Sequence, residues 1–450
     1  MNVKLVFNKV NHMRLPEKPP SDEEIRILLT APNVKIDELK PYMATINSEY
    51  LHWDELPMRF KSVSFDLKLL WGYACLSREF GNARPISING LTLRYFQTPQ
   101  IEKMLHDLDV RVGGKISLGS QIPGPELQKK YLVNSLMEEA IASSQLEGAV
   151  TSRPVAKKML RENRKPRNPS ERMILNNYLT MKYIREHTGQ KQLSIGFLKE
   201  IHKRITSGTL ENSQYEGMFR TDNEIRVFTK DEGQLIHVPP DYNDIDKLLG
   251  GVCNFANSEH VDYYLHPFVK AIVIHYMLGY IHPFVDGNGR TARALFYWYL
   301  IAQGYDYLEY VAISTAIKNA PAQYTRAYLY AESDHNDVTY FVKFNLRQFE
   351  LAVTSFEKYI EKTKAENKII FETIRQNQKM NFRQADILIS MSKDESPITI
   401  FGMYERYATT YQTARTDLFD LVKQGYLHPV MQGKQYFFVL DKDKCLKESN

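Results

Sequence analysis

Apolar residues recur at intervals of three and four through most of residues 130–364, and this spacing predicts amphipathic α-helices. The clearest segment spans residues 132–141 and continues to Gly148, a residue type that favours helix termination. Ser170 and Ser194 are suited to cap the starts of two further helices. The pattern predicts a mainly α protein.

One stretch inside this helical region, residues 215–240, has alternating apolar and polar residues instead. Ile225 and Val227 precede a predicted turn at Glu232–Gly233, and Leu235 follows it. Because successive side chains of a strand point to opposite faces, this alternation predicts a β-hairpin.

The 450 residues are too many for one hydrophobic core and suggest two to four domains. Residues 1–112 mix helical and strand-like patterns, and Trp53 and Trp71 are predicted to pack a core there. Residues 113–364 form the predicted helical core. Residues 365–450 carry three helical patterns and then a hairpin, which is the order of a winged-helix domain.

The predicted recognition helix of that last domain, residues 413–424, has no net charge. Arg415 and Lys423 are balanced by Asp417 and Asp420. Because DNA phosphates require several uncompensated cations, a protein-interaction or packing role is favoured and DNA contact is the alternative.

Composition excludes several classes of protein. Hydrophobic residues make up 43% and charged residues 25%, which excludes a wholly disordered or coiled-coil chain. The net charge of +5 is small for this length and indicates no class of binding partner unless the basic residues are clustered. Cys75, Cys253 and Cys445 are scattered, which fits neither a disulfide scaffold nor a zinc site. With no apolar run long enough for a signal peptide or membrane span, we expect a cytoplasmic protein.

One segment, residues 282–293, has the residue types of a phosphate site, with the sequence His-Pro-Phe-Val-Asp-Gly-Asn-Gly-Arg-Thr-Ala-Arg. Gly287 and Gly289 allow backbone N–H groups to approach an anion at the start of the predicted helix that follows. Arg290 and Arg293 lie on its first turn and can bind separate phosphates.

Two further residues of this segment add chemistry. Asp286 would repel phosphate unless a cation such as Mg²⁺ lay between them. His282 titrates near neutral pH and suits the removal of a hydroxyl proton. Residues 266–269 repeat its first four letters without the glycines and arginines, and we interpret that copy as structural.

The segment resembles the Fic-domain signature, His-x-Phe-x-(Asp/Glu)-Gly-Asn-Gly-Arg-x-x-Arg, at every specified position. Gly217–Arg220, Val238–Pro240 and His275–Tyr276 are also similar to the usual surroundings of that signature. The resemblance covers about residues 130–345. It implies a helical Fic core with a β-hairpin flap, and a nucleotidyltransferase that moves AMP from ATP to a Ser, Thr or Tyr hydroxyl of a target protein.

The resemblance also implies roles for single residues. His282 would be the catalytic base, and Asp286 would hold Mg²⁺ between the α- and β-phosphates of ATP. The ATP and phosphate contacts would come from Gly287, Asn288, Gly289, Arg290, Thr291, Ala292 and Arg293. Tyr324 lies where related sequences have an aromatic residue beside adenine, and a core role is the alternative.

Two other parts of the family's machinery have counterparts here. Leu235, Ile236 and His237 resemble the flap strand that holds the target segment by backbone pairing, in a hairpin longer than usual. Residues 143–148 resemble the family's inhibitory motif, (Ser/Thr)-x-x-x-Glu-(Gly/Asn), at the end of a helix spanning about 130–148.

The inhibitory motif consists here of Ser143, Glu147 and Gly148. Glu147 would pair with Arg293 and so remove the cation expected to bind the γ-phosphate. The same site could instead remove AMP or transfer another phosphate-linked group, and a DNA-binding regulator is the remaining alternative. A homo-oligomer is expected from family habit, and no membrane partner is expected.

Overall fold

The chain is mostly α-helical in a computed structural model. The residues described are 5–8, 14–30, 35–81, 83–113, 125–187, 192–229, 233–258, 263–376, 380–394, 396–433 and 435–441. Within these ranges, no helix is long and apolar enough to cross a membrane.

The N-terminal helices form a small core of their own. They are α1 (Asp22–Leu29), α2 (Ile36–Glu49), α3 (Leu56–Arg59) and α4 (Leu67–Gly81). Ser21 caps α1, because its hydroxyl accepts the Glu24 N–H while the Glu24 carboxylate accepts the Ser21 N–H. Trp71 is 1% exposed inside this core, and Trp53 packs at its edge, as the sequence predicted.

The predicted domain boundary at residue 112 differs from the observed packing. Strands β2 (Ile86–Ile88) and β3 (Leu91–Leu93) pair antiparallel, and α5 (Pro99–Val112) follows them. Their buried side chains belong to the same hydrophobic core as the central helices. The reason is that α5 turns its apolar face, which includes Leu105 and Leu108, into that core.

Ten helices follow in the described part of the central region. They are α6 (Pro125–Leu146), α7 (Arg153–Glu162), α8 (Pro169–His187), α9 (Ile195–Thr206), α10 (Ile245–Asn257), α11 (Pro267–Ile281), α12 (Asn288–Ala302), α13 (Ile313–Lys318), α14 (Pro321–Ser333) and the long α15 (Thr339–Gln376), with 3₁₀ turns between some of them. Helix α11 lies at the centre, buried on nearly all sides. Helix α15 runs past the boundary predicted at residue 364, so that boundary falls within a continuous helix.

The predicted hairpin is present and is part of a larger sheet. Strands β4 (Arg226–Thr229) and β5 (Leu235–His237) pair antiparallel with a register shift beside Val227. Strand β1 (Leu5–Asn8) adds to β4 in parallel, giving the order β1-β4-β5. Glu232 of the predicted turn lies outside the described residues. The N-terminal strand was not expected here, because only the folded chain brings residue 5 beside residue 226.

The C-terminal block has its own core. Helices α16 (Phe382–Asp394), α17 (Ile400–Tyr407) and α18 (Tyr411–Lys423) precede strands β7 (Leu427–Gln432) and β8 (Gln435–Leu440), as the sequence predicted. A short strand β6 (Ile398–Thr399), absent from the prediction, gives a sheet of order β6-β8-β7. The block packs on the central core through α17, whose Glu405 accepts a hydrogen bond from the Tyr178 hydroxyl at 2.8 Å.

The charge count on α18 changes once the helix is folded. Asp417 is 5% exposed and pairs with Arg383 at 2.6 Å, so it faces the core of the block. Asp420 lies 3.4 Å from Lys423. The exposed face of α18 is therefore slightly basic rather than neutral, which is still far from the several cations that DNA phosphates require.

Candidate active site

The signature segment forms the turn between α11 and α12. His282 caps the C-terminus of α11 in a left-handed conformation with φ 47°. Gly287 precedes α12 with φ +87°, a conformation that a residue with a side chain rarely adopts. The turn thereby places His282 and the N-terminus of α12 on the same side of the fold.

Hydrogen bonds from inside and outside the segment hold this turn. The Asn288 side chain accepts the Phe284 N–H at 2.9 Å and donates to the Phe284 carbonyl at 2.8 Å. Arg220, 3% exposed, donates through Nε to the His282 carbonyl at 3.1 Å. The Asn288 amide therefore braces the turn, which leaves its backbone N–H as the group at the helix start.

His202 of α9 supports the turn from below. The Gly217 N–H donates to His202 Nδ1 at 3.0 Å, so Nε2 carries the proton and donates to the Asp286 carbonyl at 2.7 Å. The imidazole also stacks on the Phe284 ring, with centroids 3.6 Å apart. Burial lowers the pKa of His202 to about 4, which keeps the ring neutral in this arrangement.

The His282 imidazole is arranged to accept a proton. Its Nδ1 lies 3.3 Å from the Gly279 carbonyl, which can only accept, so Nδ1 carries the hydrogen. Its Nε2 is buried and has no hydrogen-bond partner among the described residues. Burial is the main cause and the nearby His237 the second cause that lower the pKa of His282 to about 4. The Nε2 lone pair is thus available at neutral pH.

A cavity of about 470 Å³ opens beside His282. It is lined by the end of α6, the flap strands, the start of α12, and α13 and α14. Of the predicted site residues, the lining includes Glu147, Ile236, His237, His282, Asn288, Gly289, Ala292, Arg293 and Tyr324. Four other predicted residues do not line the cavity but lie in or under the turn: Asp286, Gly287, Arg290 and Thr291.

Arg293 is buried at the cavity wall, where the end of α6 holds it. Its Nη2 donates to Glu147 Oε1 at 2.8 Å and to the Ser143 carbonyl at 3.0 Å. Its Nε donates to the Ser143 hydroxyl at 2.9 Å. Gly148 follows with φ +112° and turns the chain away from the helix. The predicted contact between Glu147 and Arg293 is present, 146 positions apart in sequence.

The Glu147 carboxylate also fills the space above Gly289. A methyl group added to Gly289 would collide with Glu147 Oε1 and approach Arg293 Nη1 to 3.1 Å. The carboxylate therefore lies at the N-terminus of α12, where the helix dipole and free N–H groups favour an anion. In the folded chain, an internal anion takes that place.

Asp286 lies at the edge of the site with its side chain 49% exposed. Its Oδ1 accepts the Gly287 N–H at 2.5 Å, and its Oδ2 is 3.4 Å from Arg290 Nη2. Among the described residues, no three His, Cys, Asp or Glu side chains cluster to hold a metal. One accessible carboxylate suits Mg²⁺ that takes its other ligands from substrate phosphates and water.

The hairpin predicted to be the flap is held to the core through His237. Its Nε2 donates to the Tyr280 carbonyl at 2.7 Å, and its Nδ1 is 2.8 Å from Glu332 Oε1 of α14. Ile236 lines the cavity, whereas Leu235 is 45% exposed and does not. Tyr324 lines the cavity and its hydroxyl is 2.9 Å from His275 Nε2, so it contacts both the core and the cavity.

Comparison with known proteins agrees with this geometry. Residues 192–300, which begin just before α9 and end within α12, match the model of the Fic/DOC family. Residues 192–300 of this chain are thus similar to the Fic/DOC family.

The Fic region has named relatives. It is 38% identical over 133 residues to "Protein adenylyltransferase Fic" of Drosophila erecta, covering 29% of this chain and 25% of that protein. The Nematostella vectensis protein of the same name is 26% identical over 295 residues, 61% of each chain. This chain thus spans a quarter of the first relative and less than two thirds of the second. A Fic family protein of known structure from Desulfovibrio desulfuricans G20 is 18% identical, with a TM-score of 0.49, over 77% of this chain and 98% of that one.

Several residues of the candidate site were not predicted from the sequence. Lys318, Tyr328 and Glu332 line the cavity from α13 and α14 without any local motif. His202 had one usable signal, because it lies next to Ile201 on the apolar face of the helix that Ser194 caps. A histidine on such a face is expected to be buried and to form a hydrogen bond there, but the sequence does not identify its partner.

Proposed function

We propose that this protein transfers AMP from ATP to a hydroxyl group of a target protein and is held inactive by Glu147. One observation carries the proposal. A single cavity is lined by His282, by the N-terminus of α12 and by Arg293, and the His282 Nε2 has no hydrogen-bond partner among the described residues. The relatives named adenylyltransferase support it, as does the complete signature at residues 282–293.

The nucleotide would lie between α12 and α14. The backbone N–H groups of Asn288 and Gly289 would bind the phosphates, with Arg293 on the γ-phosphate. Tyr324 and Tyr328 would flank the base on the opposite wall. Arg290, wholly buried under the turn, would support it and add positive charge below the phosphates.

The proposed transfer is a displacement at the α-phosphorus. The target oxygen forms a bond to that phosphorus, the bond to the bridging oxygen of the β-phosphate breaks, and pyrophosphate leaves. The hydroxyl proton moves to Nε2 of His282. Asp286 would hold Mg²⁺, which when bound neutralises phosphate charge as the leaving group departs.

The target segment would pair with β5. Strand β4 already has β1 on one side and β5 on the other, whereas β5 pairs only with β4 among the described strands. An extended target segment can therefore add to the outer edge of β5, at Leu235, Ile236 and His237. The link from His237 to Tyr280 would keep that edge close to His282, two residues further along the chain.

Inhibition would follow from the position of the Glu147 carboxylate. It occupies the space above Gly289 and pairs with the arginine proposed for the γ-phosphate. Two anions cannot share that place, so ATP would bind weakly or in a pose without in-line geometry.

Labelled ATP tests the proposed reaction. The Glu147→Gly protein is incubated with cell extract and ATP labelled on either the α- or the γ-phosphorus. Above the label of extract alone, we expect added protein-bound label from α-labelled ATP only, because AMP transfer releases the other two phosphates. Added γ-label would show phosphotransfer instead, and no added label from either, with ATP binding intact, would refute the proposal. Loss of α-label from a previously labelled target would reveal the reverse reaction.

Replacing Gly289 with alanine in the Glu147→Gly protein is expected to weaken ATP binding by about tenfold or more, since a Cβ there enters the space that the Glu147 carboxylate vacates for phosphate. Calorimetric titration with ATP measures the effect. Gly196→Ala is the matched control, because a Cβ on that exposed glycine of α9 meets only the Ser194 hydroxyl at 3.9 Å. Equal ATP affinity of the two variants would contradict the proposed phosphate position.

We further infer that residues 380–441 form a winged-helix domain, which the order α16-β6-α17-α18-β7-β8 supports. Its docking on the core through α17 supports a packing or protein-interaction role.

A further inference from the structure

A second cavity, of about 420 Å³, lies between α7 and the C-terminal block. We call it the interdomain groove. It is lined by α7 on one side and by α16, β6 and α17 on the other. Its charged lining residues are Arg153, Lys157, Lys158, Arg161, Glu162 and Arg406. None of its lining residues belongs to the cavity beside His282.

The groove lies where the positive charge of the chain is concentrated. Residues 153–167 contain seven Lys and Arg residues and one Glu, a net charge of +6, whereas the whole chain has +5. The remainder of the protein is thus slightly acidic. This basic segment has no role in the proposed transfer reaction, because it lies outside the cavity beside His282.

Four of the lining cations form ion pairs with three carboxylates: Arg153 and Lys157 with Glu138, Lys158 with Glu162 at 3.8 Å, and Arg406 with Asp386 at 3.3 Å. Lys157 is mostly buried, and burial lowers its pKa because the charged ammonium group loses its hydration. Its positive charge therefore carries a desolvation cost. An anion in the groove would offset that cost.

The uncharged lining is of two kinds. Ile387, Met391 and Ile398 provide an apolar surface. Ser390 and Thr399 bring hydroxyl groups, and the Ser390 hydroxyl accepts from Arg406 Nη1 at 3.1 Å. Such a lining suits a ligand with one apolar ring system and several negative charges.

We propose that the interdomain groove binds a small nucleotide carrying two or more phosphate groups, at a site separate from the catalytic cavity. The phosphates would contact Lys157, Lys158 and Arg161, with the base against the apolar side. A concave space of about 420 Å³ has the volume of a small-molecule site. Duplex DNA fits less well, since α18, the helix that a winged-helix domain places in DNA, does not line the groove.

Equilibrium dialysis of the full chain with labelled GTP, at about 50 mM salt to limit screening, tests the site. We expect the unaltered protein to bind two equivalents of GTP. If Glu147 prevents GTP from entering the catalytic cavity, we expect it to bind one. Lys157→Ala with Lys158→Ala should weaken one class of GTP binding by about tenfold or more. Lys157→Arg should retain it, because the cation is kept.

The control changes the same charge elsewhere. Lys40→Ala with Lys103→Ala removes two exposed lysines of the N-terminal region and should leave GTP binding intact. Equal loss in both double variants would overturn the proposal, because it would show non-specific attraction. Loss of all GTP binding in the Arg293→Ala variant would also overturn the proposal, since that result would show that GTP binds only in the catalytic cavity. Duplex DNA binding that needs Lys157 and Lys158, without GTP binding, would also refute it. Thermal melting of each variant establishes that it is folded.

Discussion

Replacing Glu147 with glycine is expected to raise the rate of AMP transfer by about tenfold or more, which corresponds to about 1.4 kcal/mol or more in the activation free energy. The substitution removes the carboxylate 2.8 Å from Arg293 and clears the space above Gly289. Arg293 keeps its bonds to Ser143, so it stays in place to bind phosphate. Initial rates of α-labelled AMP incorporation measure the change.

Two further variants separate charge from local helix effects. Glu186→Gly alters a glutamate one residue before the end of α8 and should leave the transfer rate unchanged. Glu147→Gln keeps the size of the side chain and removes its charge, so it should activate less than glycine does. If Glu147→Gly bound ATP more tightly but labelled no faster, the inhibitory role would be excluded.

Replacing His282 with alanine in the Glu147→Gly protein should lower the transfer rate by about a hundredfold to ten-thousandfold, the usual contribution of a positioned base. His282 lines the cavity, and its Nε2 has no hydrogen-bond partner among the described residues. ATP binding should change little, since the phosphate contacts come from α12. His187→Ala, at the end of α8, is the control for loss of an imidazole remote from the site.

The pH dependence of the same reaction gives an independent check. Burial lowers the pKa of His282 to about 4, so its neutral form persists down to that pH. The transfer rate of the Glu147→Gly protein should therefore stay level from pH 8 to about 5 and fall only near pH 4. An acid limb near the ordinary histidine value of about 6.5 would show that His282 is exposed or is not the base.

Local chemistry explains why much of the site was predictable. Residues 282–293 form one turn and one helix start, so the identity of each residue constrains its neighbours directly. The residue types of a phosphate site can therefore be recognised in the sequence of this segment. The functional roles of His282, Asp286 and Arg293 stay predictions until the variants are measured.

Contacts between distant segments were less predictable. His202 supports the Asp286 carbonyl from 84 positions away, and β1 pairs with β4 although Leu5 and Arg226 are 221 positions apart. Neither has a motif, because each depends on which apolar faces pack together. The boundary predicted at 112 does not coincide with a break in the packing for the same reason, since α5 buries its apolar face in the central core. The boundary predicted at 364 falls within the continuous helix α15.

By itself, the sequence determined the helical class, the β-hairpin and the turn of residues 282–288, because periodicity and turn chemistry act over a few residues. Only the tertiary structure decided that Asp417 faces inward, that Glu147 lies over Gly289, and that α7 meets the C-terminal block in a basic groove. These arrangements arise when amphipathic helices bury their apolar faces together, which fixes distances between residues that the chain keeps far apart.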